Sequence, residues 1–165
     1  MKLRKRVFVA AGAYTVSLGS GRPEFDPRKP RPGLEHYIQE AGRAVIAQMR
    51  DPQVIDECVI SNFMAARFNR QGNLAALMPI IHPTLQYKPS LRVEGACGSG
   101  GLAVMTGMKS VLADLADVVL VLGVEVQNTV KAIYGADILA GAGHYASQRK
   151  GGHAYFFPAM EVFSR

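Results

Sequence analysis

The chain has 165 residues, enough for one domain with a buried core, and its 48% hydrophobic and 19% charged residues exclude a disordered protein. Two cysteines exclude a disulfide scaffold and indicate a reducing compartment, and no apolar run approaches the ~18 residues of a membrane span. The formal net charge of +6 forms no continuous basic stripe and accompanies no nucleic-acid-binding motif, so we do not expect a nucleic-acid partner.

The N-terminal residues 6–13 are basic and then apolar, a pattern shared by signal peptides and core strands. The apolar stretch is short for a signal peptide, and no small-residue cleavage pattern follows it. We therefore predict a first strand over 6–13 and a cytoplasmic location. Residues 17–32 are broken by glycine and proline and are predicted to form a loop.

Apolar residues then recur every three or four positions, which predicts an amphipathic helix from Leu34 to near Asp51-Pro52. Further along, the pattern predicts strands over 58–62, 90–94 and 118–124, and helices over 74–81, 98–113 and 132–145. The 98–113 helix is apolar nearly all round, so we expect it to be buried on every side.

The alternation of strands and helices predicts an α/β fold, a βαβαβαβ unit with a mainly parallel sheet between helix layers. The continuous β-branched run over 118–124 is typical of a strand covered on both faces. From residue 128 onwards the pattern changes, with repeated glycine interruptions. This change divides the chain into a core of residues 1–127 and a separate segment, 128–165.

Cys97 lies at a predicted strand-to-helix junction among four glycines, in the run Val-Glu-Gly-Ala-Cys-Gly-Ser-Gly-Gly-Leu-Ala over 93–103. The first amide groups of a helix favour a thiolate, the nucleophilic form of cysteine, and glycine permits close approach of a ligand. The pattern indicates a nucleophile at Cys97, with Gly98, Gly100 and Gly101 supporting the turn or an oxyanion. A small buried cysteine in a tight turn is the alternative.

Other candidate residues carry weaker signals. Cys58 lies inside an apolar strand and is predicted to be a core residue. Residues 98–103 also fit the alanine-ended form of the dinucleotide-binding fingerprint. That fingerprint normally follows the first strand and is followed by an acidic residue about 20 residues later. Here it follows the third predicted strand, and the acidic residue Glu125 lies further away than that, so the match does not favour dinucleotide binding. No spacing suggests a metal site. None of the four histidines is placed against Cys97 by the sequence: His36, His82, His144 and His153.

Residues 93–103 resemble the nucleophile segment of thiolases, and 116–125 resembles the fourth strand of that superfamily. Within the superfamily the chain is most similar to the sterol-carrier-protein-type branch, which includes bacterial and archaeal acetyl-CoA acetyltransferase-like members. Supporting similarity lies in 37–42, 60–63, 134–137 and 156–159.

The resemblance implies an acyltransferase in which Cys97 takes an acyl group as a thioester and passes it to coenzyme A or to a second acyl-CoA. Acyl-CoA and coenzyme A are then substrates, with no covalently bound cofactor. Residues 1–127 become the first core half of a thiolase and 128–165 the start of a truncated loop domain. Because the family's activating histidine and second cysteine lie in the other half, we expect this chain alone to be inactive or nearly so.

The resemblance also implies a sheet order of 3-2-1-4-5, with strand 6–13 between strands 58–62 and 118–124. Strand 118–124 is then an open apolar edge, so we expect a homo-oligomer or a partner chain that supplies the second half. Two alternatives stay open. One is a related acyl-CoA condensing enzyme or thiolase-like aldolase, and the other is a non-catalytic scaffold or partner subunit.

Overall fold

The computed structural model describes residues 5–17, 26 and 28–143. Most of the predicted loop over 17–32, His144, His153 and the chain after residue 143 lie outside the described residues. Tertiary contacts divide the chain into two units. The first comprises the residues up to 63 together with 72–125, and the second comprises 64–71 together with the residues from 126 onwards.

The described strands of the first unit are β1 (Glu57–Ser61), β2 (Ser90–Val93) and β3 (Val119–Gly123). They form a parallel sheet in the order β2-β1-β3, in which Val59 of β1 lies beside Leu91 on one side and Val121 on the other. Parallel neighbours require crossover connections, and helices supply them. The predicted α/β class, the parallel sheet and the three strands after residue 57 are confirmed.

The described α-helices are α1 (Leu34–Ile46), α2 (Ala65–Phe68), α3 (Ser99–Leu112) and α4 (Ala132–Ala140). In α1 every fourth residue is buried, which confirms an amphipathic helix: Leu34, Ile38, Gly42 and Ile46. The helix ends at Ile46, earlier than predicted. The side chain of Asp51 accepts a hydrogen bond from the N–H of Gln53 and so begins a separate 3₁₀ helix, Pro52–Val54.

The segment predicted as a helix over 74–81 is a 3₁₀ helix, Leu74–Ile80, rather than an α-helix. Pro79 lies inside it and has no N–H to donate, which disfavours a continuous α-helical hydrogen-bond series. Its Leu74 and Met78 side chains are completely buried. The segment is therefore helical and fills the core, but its backbone geometry differs from the predicted α-helix.

α3 packs on the sheet through its small residues, Ser99, Ala103, Gly107 and Ser110, which are all buried. Its large apolar residues face away from the sheet, with Leu102 40%, Val104 55% and Met105 47% exposed. The prediction that this helix is buried on every side is wrong for the described residues, because the sheet covers only the face of small side chains.

The other face of the sheet is covered as well. Side chains alternate between the two faces of a strand, so Leu120 and Leu122 point away from the face where Gly107 approaches Val121. Both leucines are buried. α1 and the 3₁₀ helix Leu74–Ile80 pack against each other and contact the sheet, which gives the predicted sheet between helix layers.

The predicted first strand is wrong. Residues 6–13 form no strand, and the side chains of Phe8 and Val9 are 74% and 89% exposed. The predicted order 3-2-1-4-5 is wrong for the same reason, because β1 pairs directly with β3 and leaves no place for a strand between them. Within the described chain β3 pairs only with β1, so it is an edge strand as predicted.

Polar contacts hold the two ends of this N-terminal segment. Lys5 Nζ lies 2.7 Å from the carboxylate of Asp114, and the side-chain amide of Gln48 donates to the carbonyl of Gly12 over 3.1 Å. The apolar residues between these contacts have no neighbouring strand among the described residues. An apolar, β-branched pattern is therefore insufficient to make a strand without a ladder partner.

In the second unit, α2 and α4 are in contact. The hydroxyl of Thr129 donates to the carbonyl of Phe68 over 2.6 Å, and Arg67 lies 3.7 Å from the carboxylate of Asp137. α4 ends at Ala140, before the predicted end of that helix. Across the described ranges, we find no helix that has both the length and the apolar character needed to cross a membrane.

Candidate active site

The junction between β2 and α3 has the geometry predicted from the sequence. β2 ends at Val93, a single 3₁₀ turn follows over Ala96–Gly98, and α3 begins at Ser99. Cys97 lies in the middle of this turn and is exposed as a free thiol. The structure therefore places Cys97 at a helix start and open to solvent, while its role as a nucleophile stays a prediction.

The turn is strained at the residue before the cysteine. Ala96 has a φ of +47°, in the left-handed region, where a residue with a β-carbon is disfavoured by about 1–2 kcal/mol. Two hydrogen bonds oppose relaxation: the Ala96 N–H donates to Glu94 Oε1 over 2.5 Å, and the Gly98 N–H donates to the Gly95 carbonyl over 2.9 Å. Such strain persists only where surrounding contacts over-determine the backbone.

A buried hydroxyl braces the same turn. Ser99 Oγ accepts a hydrogen bond from the N–H of Gly95 over 3.0 Å and donates to the carbonyl of Ala96 over 2.6 Å. Ser99 is only 6% exposed. Ser99 was not predicted from the sequence, although a serine at a helix start, where hydroxyls often bond to the main chain, is a usable signal.

The glycines after Cys97 are not required by contacts among the described residues. A β-carbon on Gly98, Gly100 or Gly101 would meet no heavy atom within 4 Å. The N–H of Gly98 donates inside the turn, and Gly100 and Gly101 lie exposed in the first helical turn, so their support of the turn or of an oxyanion stays a prediction. The space that a side chain would occupy at these three glycines is therefore open.

Gly95, by contrast, lies in close contact with a side chain of α3. The side chain of Leu102, one helical turn into α3, occupies the space that a β-carbon on Gly95 would need. Gly95 is one of the four glycines of the junction, and no separate role was predicted for it from the sequence. Its close approach to Leu102 becomes visible only once strand and helix are folded together.

Cys58, unlike the exposed Cys97, is buried. It lies in β1 with no exposed surface, as predicted for a core residue. Burial raises the pKa of the Cys58 thiol to about 11, because desolvation penalises the thiolate. At neutral pH Cys58 is therefore protonated and shielded from reagents.

A polar cluster that the sequence analysis missed ties together the carboxyl ends of the three strands. The carboxylate of Glu125 accepts hydrogen bonds from the side-chain amide of Asn62 over 3.0 Å and from the N–H of Phe63 over 2.8 Å. Arg92 Nη2 donates to the carbonyls of Asn62, over 3.1 Å, and Phe63, over 2.8 Å. Because Glu125 is engaged in this way, the dinucleotide interpretation of residues 98–103 loses its candidate ribose ligand.

The two described histidines make their hydrogen bonds elsewhere. His36 pairs with Glu40 one helical turn away, at 3.1 Å, and His82 Nδ1 lies 2.8 Å from the hydroxyl of Thr84. Within the described part of the chain, no hydrogen bond joins either histidine to Cys97. A shallow cavity of about 290 Å³ also lies away from the cysteine, lined by Asn73, Ala75, Ala76, Pro79, Leu85, Tyr87, Lys88 and Ser90.

The fold is an α/β sheet of parallel strands, and an exposed cysteine lies on a strained turn between a strand and a helix. This arrangement is typical of proteins that use a cysteine as a nucleophile. Comparison with known families identifies the class more closely. The model of the family described as "Thiolase, N-terminal domain" matches residues 34–157, so the chain belongs to this thiolase family.

Two curated archaeal proteins are similar to the chain, and both are named acetyl-CoA acetyltransferase. The protein from Methanocaldococcus jannaschii is 39% identical over 109 residues, which cover 66% of this chain and 27% of the relative. The protein from Methanothermobacter thermautotrophicus is 37% identical over 89 residues, covering 53% and 23% respectively. The chain thus spans about a quarter of the length of these relatives.

Proposed function

We propose that this chain carries the nucleophile of a thiolase-type acyltransferase. The Cys97 sulfur, as a thiolate, attacks the carbonyl carbon of an acyl-CoA. The bond from that carbon to Cys97 forms, the bond to the coenzyme A sulfur breaks, and coenzyme A leaves as a thiolate that takes up a proton. In the second step the bond from the acyl carbon to Cys97 breaks and Cys97 leaves as a thiolate. The acyl carbon bonds either to the sulfur of coenzyme A, whose thiol gives up its proton, or to the α-carbon of a second acyl-CoA, whose α-proton is taken by a base from beyond the described residues.

The observation that carries this proposal is the exposed Cys97 on a braced turn at the start of α3, in a chain that belongs to the thiolase family. A thiol suits thioester exchange because it both attacks and leaves readily. The names of the two archaeal relatives support acetyl-CoA as the acyl donor. Coenzyme A compounds are substrates in this proposal, and the cytoplasmic location stays a prediction from the sequence.

Label exchange tests the acyl transfer directly. Isotopically labelled coenzyme A is mixed with acetyl-CoA and the 165-residue chain, and label entering acetyl-CoA reports formation and reversal of the thioester. We expect exchange by the unmodified chain and by Cys58→Ala, and none by Cys97→Ala. Equal exchange by Cys97→Ala would exclude this cysteine as the acyl carrier.

We further propose that complete turnover needs groups beyond the described residues, because His36 and His82 are bonded to other partners. Steady-state thiolysis of acetoacetyl-CoA by the chain alone is then expected to be far slower than the typical ~10 s⁻¹ of enzymes. Thiolysis at an ordinary enzyme rate would contradict this part of the proposal.

A non-catalytic or partner-dependent role is the second candidate, and the exposed face of α3 favours it. Leu102, Val104 and Met105 form an apolar surface on this helix, and β3 has a free edge in the described sheet. We propose that a second copy of the chain covers these surfaces. A monodisperse monomer at micromolar concentration, measured by sedimentation velocity, would overturn the homo-oligomer.

A further inference from the structure

We propose that Ser99 is a positioning residue for Cys97, whose hydroxyl holds the turn that carries the cysteine in one conformation. This inference rests on the proposed function, because the position of the Cys97 sulfur matters only if that sulfur reacts. Ser99 itself touches no reacting atom in this proposal. It acts through the main chain of the two residues that precede Cys97.

The two hydrogen bonds of Ser99 reach both sides of the strained residue. The hydroxyl accepts from the N–H of Gly95 and donates to the carbonyl of Ala96, so it joins the Glu94–Gly95 peptide group to the Ala96–Cys97 peptide group, across the left-handed Ala96. If these bonds were lost, only the bonds to Glu94 and within the Gly95–Gly98 turn would oppose relaxation, and Ala96 would return more readily to a favoured φ. Because Cys97 follows directly, that rotation would change the direction of its side chain.

Burial makes Ser99 the more effective of the two side chains that hold the turn. Glu94 also bonds to the Ala96 N–H, but Glu94 is exposed, so water competes for its carboxylate. Ser99 is the buried first residue of α3, and its two hydrogen bonds are partly buried, so water competes for them less than for the exposed Glu94 bond. We therefore assign the fixed orientation of Cys97 mainly to Ser99.

The test compares the rate of Cys97 alkylation by iodoacetamide in the folded 165-residue chain with the rate in denaturing urea. This ratio, the folded enhancement, isolates the effect of the turn from the intrinsic reactivity of a thiol. We expect an enhancement above one for the unmodified chain. Ser99→Ala is expected to reduce it about fivefold, the scale of one lost hydrogen bond, and Ser99→Thr, which keeps the hydroxyl, to retain most of it.

Ser110→Ala is the matched control, because Ser110 is a buried serine on the same face of α3, near its other end. A merely structural effect of losing a buried hydroxyl would lower thermal stability in both alanine variants without changing the enhancement. We expect Ser110→Ala to keep the enhancement. A loss in Ser110→Ala equal to that in Ser99→Ala would overturn the positioning role.

The outcomes separate this inference from the proposed function. An enhancement that survives in Ser99→Ala overturns the role of Ser99 and leaves Cys97 as the nucleophile. No enhancement in the unmodified chain overturns both together. A further measurement needs no variant: the Gly95 amide, bonded to Ser99, is expected to show slowed hydrogen exchange by NMR, and unprotected exchange would overturn the inference.

Discussion

Gly107 of α3 lies so close to β3 that a β-carbon at this position would be 2.9 Å from Cγ2 of Val121. Val119 Cγ1 would lie 3.1 Å away, so two strand residues close the space. Gly107→Ala must therefore push the helix away from the sheet, and we expect the free energy of unfolding to fall by about 1–3 kcal/mol. Urea denaturation of the full chain measures this change.

Gly101→Ala provides the matched control in the same helix. A β-carbon there would meet no heavy atom within 4 Å, and alanine has a higher helix propensity than glycine. We expect Gly101→Ala to leave stability unchanged or to raise it by up to ~1 kcal/mol. Similar destabilisation by both substitutions would contradict the close packing of α3 on β3.

Asp56 stabilises the start of β3 in a way that depends on pH. Its Oδ2 accepts hydrogen bonds from the N–H groups of Val118, over 3.0 Å, and Asp117, over 2.8 Å. These bonds lower the pKa of Asp56 below its ordinary value of 3.8 because they favour the charged carboxylate. Since the folded pKa is the lower one, this stabilisation is present above pH 3.8 and is lost as the pH falls through the folded pKa.

Asp56→Asn tests this dependence, because the amide resembles the protonated acid. We expect Asp56→Asn to lower the free energy of unfolding at pH 7, and the difference from the unmodified chain to narrow towards about pH 2. Urea denaturation at the two pH values provides the measurement. A difference of the same size at both would exclude the carboxylate charge as its cause.

The two cysteines are expected to react very differently with iodoacetamide at pH 7. With a pKa of about 11, Cys58 is ionised in about one molecule in ten thousand at this pH, and it has no exposed surface. Cys97 is exposed. Peptide mapping by mass spectrometry should find the label on Cys97 in the folded chain and on both cysteines in urea. Early labelling of Cys58 under native conditions would contradict the packing of β1.

The apolar face of α3 is expected to drive self-association. Met105→Glu places a charge at the centre of this face, and we expect it to shift the sedimentation profile towards the monomer. Leu115→Glu is the matched control, since Leu115 is 78% exposed but lies beyond the end of α3. Equal effects of the two substitutions would show that the α3 face has no special role in association.

The sequence predicted the elements whose apolar pattern is sufficient to define them. Strands β1 and β3 are short runs of apolar residues, and α1 has a regular four-residue period, so local pattern and tertiary burial agree. The position of Cys97 was also predictable, because a cysteine among glycines between an apolar strand and a helix leaves few other arrangements.

The predictions that were wrong depend on contacts with other segments of the chain, and the local sequence pattern does not specify those contacts. Residues 6–13 have the composition of a strand, but strand formation needs a neighbouring strand, and β1 already pairs with β3. In α3 the apolar residues lie on nearly every side, so their spacing did not show that the small residues are the ones that face the sheet. Ser99 was missed because its role depends on the left-handed conformation of Ala96, a property of the folded turn.

Trapping an acyl-enzyme shows whether Cys97 accepts an acyl group from a coenzyme A thioester. The 165-residue chain is incubated with acetyl-CoA, quenched in acid and mapped by mass spectrometry, beside Cys97→Ala and Cys58→Ala. We predict one acetyl group on Cys97 in the unmodified chain and in Cys58→Ala, removable by added coenzyme A, and none in Cys97→Ala. An unmodified Cys97 after prolonged incubation of the folded chain, or acetylation confined to other residues, would contradict the account.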